Sequence, residues 1–314
     1  MIIAVPFLPG TLERSPMIRT LSEIVDLVRS RDSKTLSVAC GEDPHTIEAV
    51  GKAVRDGIVK AVLTGSRDRI LETAAEREVD SSLFEIEDHP DAGSALRAAI
   101  ANVRDGKCDF LMKGLVDSSA YMRGILAEEH SADILSHVSL IELPTYPKLL
   151  AVSDIAVIPC PDLKQKTAML RYAIDVARRL GNERPLASIV CAVEKVNPKM
   201  PCTVDAAVLA KMAERGQIRG AVVDGPLSLD VSVSPECRDI KGVRSEVAGQ
   251  ADILIFPNIE AGNVFFKTAT QLANGEIAAV VTGAFCPAIL TSRADSEQSK
   301  FYSIALGALL AHSD

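Results

Sequence analysis

Tryptophan is absent from the 314 residues, and the other aromatics amount to four Tyr and eight Phe. So few rings leave no surface on which bases could stack, which argues against an RNA- or single-strand-binding module. Positive charge is in deficit as well: 34 Lys and Arg face 42 Asp and Glu, a formal net charge of −8. Such a chain repels a phosphate polymer or an anionic membrane surface overall, although a few local cations can still hold a small anion. The seven cysteines, at 40, 108, 160, 191, 202, 237 and 286, are odd in number and form no C-x-x-C pair. That pattern reads as reduced thiols and a cytoplasmic location. The five histidines (45, 89, 130, 137 and 312) show no ligand spacing, so no metal site is expected. No apolar run approaches the ~20 residues of a membrane span. The opening "MIIAVPFLPGTLERS" lacks the basic start and the length of a signal peptide. G-x-G-x-x-G after a strand, G-x-x-x-x-G-K-[ST] and G-x-S-x-G are all missing, so dinucleotide, P-loop and nucleophile-elbow readings have no support.

What the chain does have is aliphatic mass. It is 47% hydrophobic and 24% charged, with Ala, Val, Ile and Leu dominating, enough to bury sizeable cores in a chain long enough for about two domains. Short apolar runs alternate with amphipathic stretches. Ser15-Pro16 opens a helical pattern to Arg31, followed by a strand at 35–40, a helix from Asp43-Pro44 and a strand at 59–65. A helix from Ser66, a strand at 83–87, a helix at 91–104, a strand at 109–114 and a helix at 118–129 continue the rhythm. Between 137 and 160 two or three strand-like runs carry prolines and no helix, which predicts an antiparallel insertion at a domain junction. Alternation then returns: helix 162–180, strand 186–192, helix 203–216, strands 220–225 and 251–257, helix 262–273, strand 277–283. Continuous apolar strands alternating with helices imply βαβ units, hence two parallel-sheet α/β domains with a cleft between them. The boundaries read as 1–142 with 287–314 for the first domain and 143–286 for the second.

Sites in such sheets lie at strand ends, and four polar loops fall there. "LMKGLVDSS" places Lys113 and Gly114 at a strand end before Asp117-Ser118-Ser119. A cation plus helix N–H groups makes an anion site, and an ordinary capped corner explains the same residues. "VVDGPLSLD" offers Asp224 and Asp230 to a divalent cation, or simply builds a turn. "FPNIEAGNVFFK" ends a strand at Asn258 and enters a helix at Gly262-Asn263, with Lys267 on the same face as Asn263. "LTSRADS" sets Ser292 and Arg293 to grip a phosphate or carboxylate, with Asp295 able to order the Arg, cap the helix or accept a proton. Cys286 beside this loop reads as core packing more than as a nucleophile.

Several of these segments together resemble the phosphate acetyl/butyryltransferase family: "LMKGLVDSS", the run from Cys191 to Asp230, "ADILIFPNIEAGNVFFKT" and "ILTSRADSEQSKFYSIALGALLA". The resemblance implies the reaction acyl-CoA + phosphate = acyl phosphate + CoA, without metal or redox cofactor, coenzyme A being a substrate. It implies a fold similar to isocitrate and isopropylmalate dehydrogenases, with the site in the cleft, and a homodimer or higher homo-oligomer. Ser292 and Arg293 would grip phosphate, with Lys113, Gly114 and Arg123 beside them and Asn258, Gly262, Asn263 and Lys267 completing the substrate site. Gln271 stands where the acetyl-specific branch has an arginine, and Ser299 where it has an aspartate. Both departures favour the butyryl-like branch and leave Asp295 as the nearest acid, either base or orienter. The alternatives are a metal- and NAD-dependent decarboxylating dehydrogenase of similar fold, using Asp224 and Asp230, and a non-catalytic CoA- or phosphate-binding protein.

Overall fold

The computed structural model describes residues 17–129, 131–292 and 295–312. In its first part α1 (Leu21–Arg29), β1 (Lys34–Ala39), α2 (Pro44–Arg55), β2 (Val59–Gly65) and α3 (Arg67–Glu76) alternate. They are followed by β3 (Glu85–Asp88), α4 (Ala92–Arg104), β4 (Phe110–Lys113) and α5 (Ser118–Leu126). β5 (Ser136–Glu142) and β6 (Leu150–Ser153) come next with no helix between them, and they pair antiparallel, as the proline-punctuated stretch predicts. Then come α6 (Leu163–Arg179), β7 (Leu186–Val190), α7 (Pro201–Glu214), β8 (Val222–Leu227) and the short α8 (Leu229–Val233) and α9 (Pro235–Lys241). The chain ends with β9 (Ile253–Ile255), α10 (Ile259–Leu272), β10 (Glu276–Thr282), β11 (Ala288–Ile289) and α11 (Glu297–Leu310).

Where two sheets are expected, the described strands form one, in the order β3-β2-β1-β4-β11-β10-β5-β6-β9-β7-β8. The strands from β3 to β11 are parallel, and so are those from β6 to β8. Three antiparallel pairings, β11 with β10, β10 with β5 and β5 with β6, join the two blocks and reverse the second. The β10–β5 ladder runs from Glu276–Glu142 to Thr282–Ser136 and leaves no seam between the halves. Phe110, Val138, Leu140, Ile253 and Ile255 accordingly belong to one continuous hydrophobic core. The fold is α/β with one large, mostly parallel sheet.

Local signals set most element starts. Asp43 caps α2 by accepting from Thr46 N, with Pro44 at the first helical position. Asp162 and Gln165 form a reciprocal capping box on α6. Three expectations shift. Ser15 and Pro16 lie outside the described residues, and α1 starts at Leu21 behind a Thr20 cap, because the buried stripe Leu21, Ile24, Val25 and Val28 begins there. Asp80 caps a 3₁₀ turn at Ser81–Leu83, which delays β3. The expected turn at Asp224-Gly225-Pro226 is strand: β8 is an edge strand, where proline is tolerated, and its register against β7 shifts between Ser188 and Val190. The last helix buries Phe301, Ile304, Leu306 and Leu309 against α1, α2 and β10.

Candidate active site

The ends of β1, β4 and β11 lie level, since Ala39 pairs with Lys113 and Met112 with Ile289. Gly114 crosses directly over the end of β1, its N–H bonded to Ala39 O at 2.9 Å. A Cβ at Gly114 would lie 2.1 Å from the Cys40 carbonyl oxygen, so only glycine allows this crossing. Lys113 is buried, and its ammonium turns back to the carbonyls of Gly114 and Val116, both at 3.1 Å. Asp117 caps α5 by accepting from Ser119 N and Ala120 N, so two N-terminal donors are spent locally. Arg123 is exposed on the same helix, near enough to help hold the Asp117 carboxylate below its usual range, after the Ala120 N–H as the largest cause.

In the second parallel block, after β9, Asn258 caps α10 through Ala261 N, so this helix starts at Ile259, before the Gly262-Asn263 pair. A helix start at Gly262 would leave its N–H open; with the start at Ile259 that N–H already bonds the Asn258 carbonyl at 3.2 Å. These residues fasten the helix instead. A Cβ at Gly262 would lie 2.3 Å from Asp154 O, and Asn263 Nδ2 donates to Ile155 O at 3.1 Å. One turn further on, Lys267 reaches to 3.7 Å from Asp295 Oδ1. Asp295 Oδ2 in turn accepts from Ser292 N at 2.8 Å. Arg293 lies outside the described residues. Of the four polar segments, the one at 257–263, through Lys267 further along α10, therefore meets the one at 291–295, and that at 113–118 packs on the β1 end. The fourth does not join: Asp230 is engaged with Ser228 and with Lys241, and Asp224 accepts from Gly225 N.

Four buried residues join this junction beyond the candidate site residues: Lys300, Asp43, His137 and Asp154. Lys300, 2% exposed, donates to Ser292 O at 3.3 Å and Thr291 Oγ1 at 3.4 Å and lies 3.7 Å from Asp43 Oδ2. Burial pushes the lysine below its ordinary pKa, against the pull of Asp43 and Asp295. Burial also works to raise Asp43, but the Thr46 hydroxyl and Lys300 outweigh it and hold this carboxyl low. His137 Nε2 lies 3.3 Å from Leu290 O, and its Nδ1 lies 3.3 Å from Ser139 Oγ. A carbonyl only accepts, so the ring donates from Nε2 and the serine hydroxyl donates to Nδ1. Burial pushes this imidazole below its ordinary range, opposed by Asp154 and Asp295. Asp154 receives Ser136 Oγ, His137 N, Ala156 N and Val157 N at 2.7–3.1 Å. A signal for Lys300 did exist: it sits four residues before Ile304 on the buried stripe of α11. His137 had none, because β5 is buried on both faces and shows no alternation.

A cavity of about 400 Å³ opens beside Leu290, walled by Met122, Leu135, Val157 and Ile158, with Ser118 and Ser119 at its rim. Its aliphatic wall and polar rim suit a short carbon chain attached to a polar group. Cys286 is buried with its thiol pushed up to about 12 by burial, which makes it inert as a nucleophile near neutral pH. Among the described residues no group of three or more His, Cys, Asp or Glu could hold a metal ion, and no helix is long and apolar enough to cross a membrane.

Known proteins share this arrangement of segments. Residues 92–308 match the family described as Phosphate acetyl/butaryl transferase. The chain is 42% identical over 298 residues to the phosphate butyryltransferase of Clostridium acetobutylicum, covering 94% of this chain and 99% of that one. It is also 42% identical over 294 residues to the phosphate acetyltransferase of Thermotoga maritima, covering 93% and 99%. Among solved structures, a branched-chain phosphotransacylase from Enterococcus faecalis V583 superposes with a TM-score of 0.79 at 29% identity, covering 90% of this chain and 100% of that one. The match over residues 92–308 and 42% identity across nearly the full length of both chains thus lead to one assignment: the chain belongs to the phosphate acetyl/butyryl transferase family.

Proposed function

We propose that this protein is a phosphate acyltransferase that interconverts acyl-CoA plus phosphate with acyl phosphate plus CoA, with short acyl groups and butyryl preferred over acetyl. The observation that carries the reading is the meeting of Lys267, Asp295 and Ser292, which joins the phosphate-gripping loop to the helix from the opposite half of the sheet. Family membership supports the reaction, and the aliphatic cavity beside Leu290 supports a short carbon chain. Coenzyme A is a substrate here, and the reaction calls for no further cofactor.

In this reading Ser292 and Arg293 hold phosphate by hydroxyl and guanidinium, with Arg123 at the rim and Lys113 lending charge from within its loop. A phosphate oxygen attacks the thioester carbon, the C–S bond breaks, and CoA departs as a thiolate that takes up a proton. Arg293 stabilises the tetrahedral oxyanion, since the Gly262 N–H is already spent. The two engagements of Asp295, with Ser292 N and with Lys267, fit an orienting residue. Asn258, Gly262 and Asn263 hold α10 where Lys267 can reach.

The same reading takes residues 1–142 with 287–314 and residues 143–286 as two units around an isocitrate dehydrogenase-like cleft. It takes the protein as a cytoplasmic homodimer or higher homo-oligomer; exposed Val264 and Leu272 on α10 support association, and seven free cysteines support a reducing compartment. The test is thiol release from acetyl-, propionyl- and butyryl-CoA with phosphate, with EDTA present and NAD absent. Phosphate-dependent release, fastest with butyryl-CoA and lost in Arg293→Ala, is expected. No release from any acyl-CoA would remove the reading.

A further inference from the structure

Lys300 occupies a position that works against its charge in two ways. Its side chain is 3% exposed, so the ammonium has lost nearly all its water. It also stands in the first turn of α11, where its own N–H bonds the Ser296 cap carbonyl and the helix dipole disfavours a cation. Paired with a neutral residue at 43, a methionine would fill the same volume without either penalty, so stability alone does not call for an ion pair here. What the ammonium touches is specific: Asp43 at the cap of α2, and the Thr291 hydroxyl and Ser292 carbonyl in the loop after β11. Asp43 is itself fixed by accepting from Thr46 N at 2.9 Å and Thr46 Oγ1 at 2.6 Å. The helix that bears Lys300 is seated on α2 by Lys52, which donates to Gln298 at 2.8 Å and lies 4.3 Å from the Phe301 ring centre.

Ser292 is thus gripped on both sides of its backbone. The partly buried Asp295 takes the N–H, and the carbonyl accepts from the buried Lys300 and from Asp295 N, so these two residues hold the backbone from which the serine hydroxyl projects. We propose that Lys300, with Asp43 as its counter-charge, is a positioning residue that sets the Ser292 backbone for phosphate binding without touching phosphate itself. This rests on the reading of Ser292 as a phosphate ligand. Nothing in it asks Lys300 to bind the acyl group or CoA.

The test compares wild type, Ser292→Ala, Lys300→Met, Lys300→Arg, Asp43→Asn and the double variant Asp43→Asn/Lys300→Met, measuring thiol release and Tm for each. Lys300→Met should raise KM for phosphate roughly tenfold, the value of one hydrogen bond to a charged group, and leave KM for acyl-CoA unchanged. It should also lower Tm, because Asp43 loses its partner, and Lys300→Arg should recover part of the phosphate affinity. The double variant separates the two roles: removing both charges should restore Tm while KM for phosphate stays high. If phosphate affinity returns together with Tm, Lys300 merely neutralises Asp43 and the proposal is overturned. An unchanged phosphate KM in Lys300→Met overturns it as well. If Ser292→Ala leaves phosphate KM untouched while wild type turns over, the route through Ser292 is wrong although the acyltransferase reading stands. If wild type shows no phosphate-dependent release, both fall.

Discussion

Lys267 Nζ lies 3.7 Å from Asp295 Oδ1, a contact between the helix that follows β9 and the loop that follows β11. The two strands belong to the two parallel blocks of the sheet, with β10, β5 and β6 between them. One ion pair therefore bridges the two halves at the point where the candidate phosphate ligands gather.

Because Lys267 is 42% exposed, that pair is worth only ~0–1 kcal/mol to the fold. Lys267→Met should leave Tm nearly unchanged and lower kcat/KM roughly tenfold by releasing Asp295 and, through it, Ser292. A cycle with Asp295→Asn should show the two losses to be non-additive by about 1 kcal/mol in transition-state terms. Additive losses would mean that the two residues act independently.

Gly262→Ala puts a methyl group 2.3 Å from the Asp154 carbonyl oxygen, where backbone cannot give way cheaply. The expected cost is about 1–3 kcal/mol, read as a fall in denaturation midpoint. Activity should fall further than stability, since the displaced helix carries Lys267. Full activity in a folded Gly262→Ala protein would show that the seating of α10 does not matter to the site.

His137 makes stability depend on pH in a definite direction. Burial holds its folded pKa below the ordinary 6.5, so the unfolded chain takes up the proton first. Its contribution is complete above 6.5 and is lost as pH falls below that value toward the lower folded pKa. His312 is pushed the same way, so the variant isolates the effect. Unfolding free energies measured from about pH 8 to about pH 5 should show a shallower acid-side decline for His137→Gln than for wild type. Identical slopes would assign the decline to other groups.

The cavity beside Leu290 gives a specificity prediction. Val157→Phe fills part of its aliphatic wall and should lower the ratio of butyryl-CoA to acetyl-CoA turnover roughly tenfold, about the value of two or three lost methylene contacts. Comparing kcat/KM for the two substrates settles it. A ratio that does not move places the acyl chain elsewhere.

Alternation of apolar runs with amphipathic stretches was enough to read α/β layering, and the caps at Asp43, Asp117 and Asn258 were written locally within three or four residues. The loops at 113–118, 257–263 and 291–295 were visible for the same reason: strand ends and helix starts carry their own residue types. Local pattern places the start of α10 at Gly262, three residues late, because this glycine resembles an approach to a ligand when it is an approach to the Asp154 carbonyl. Asp224-Gly225-Pro226 carries the residue types of a turn, and local propensity does not report that β8 is an edge strand that tolerates proline.

The sequence by itself determined the class of fold and the segments that could hold chemistry, since helix periodicity, strand composition and capping are short-range properties. Tertiary structure alone decided that the strands make one sheet, that the Asp224 loop stays apart, that Asp43 and Lys300 meet beside Ser292, and that His137 reaches the Leu290 carbonyl. Those contacts join residues far apart in the chain, and their strength comes from burial, which exists only once the sheet and its helices have closed over them.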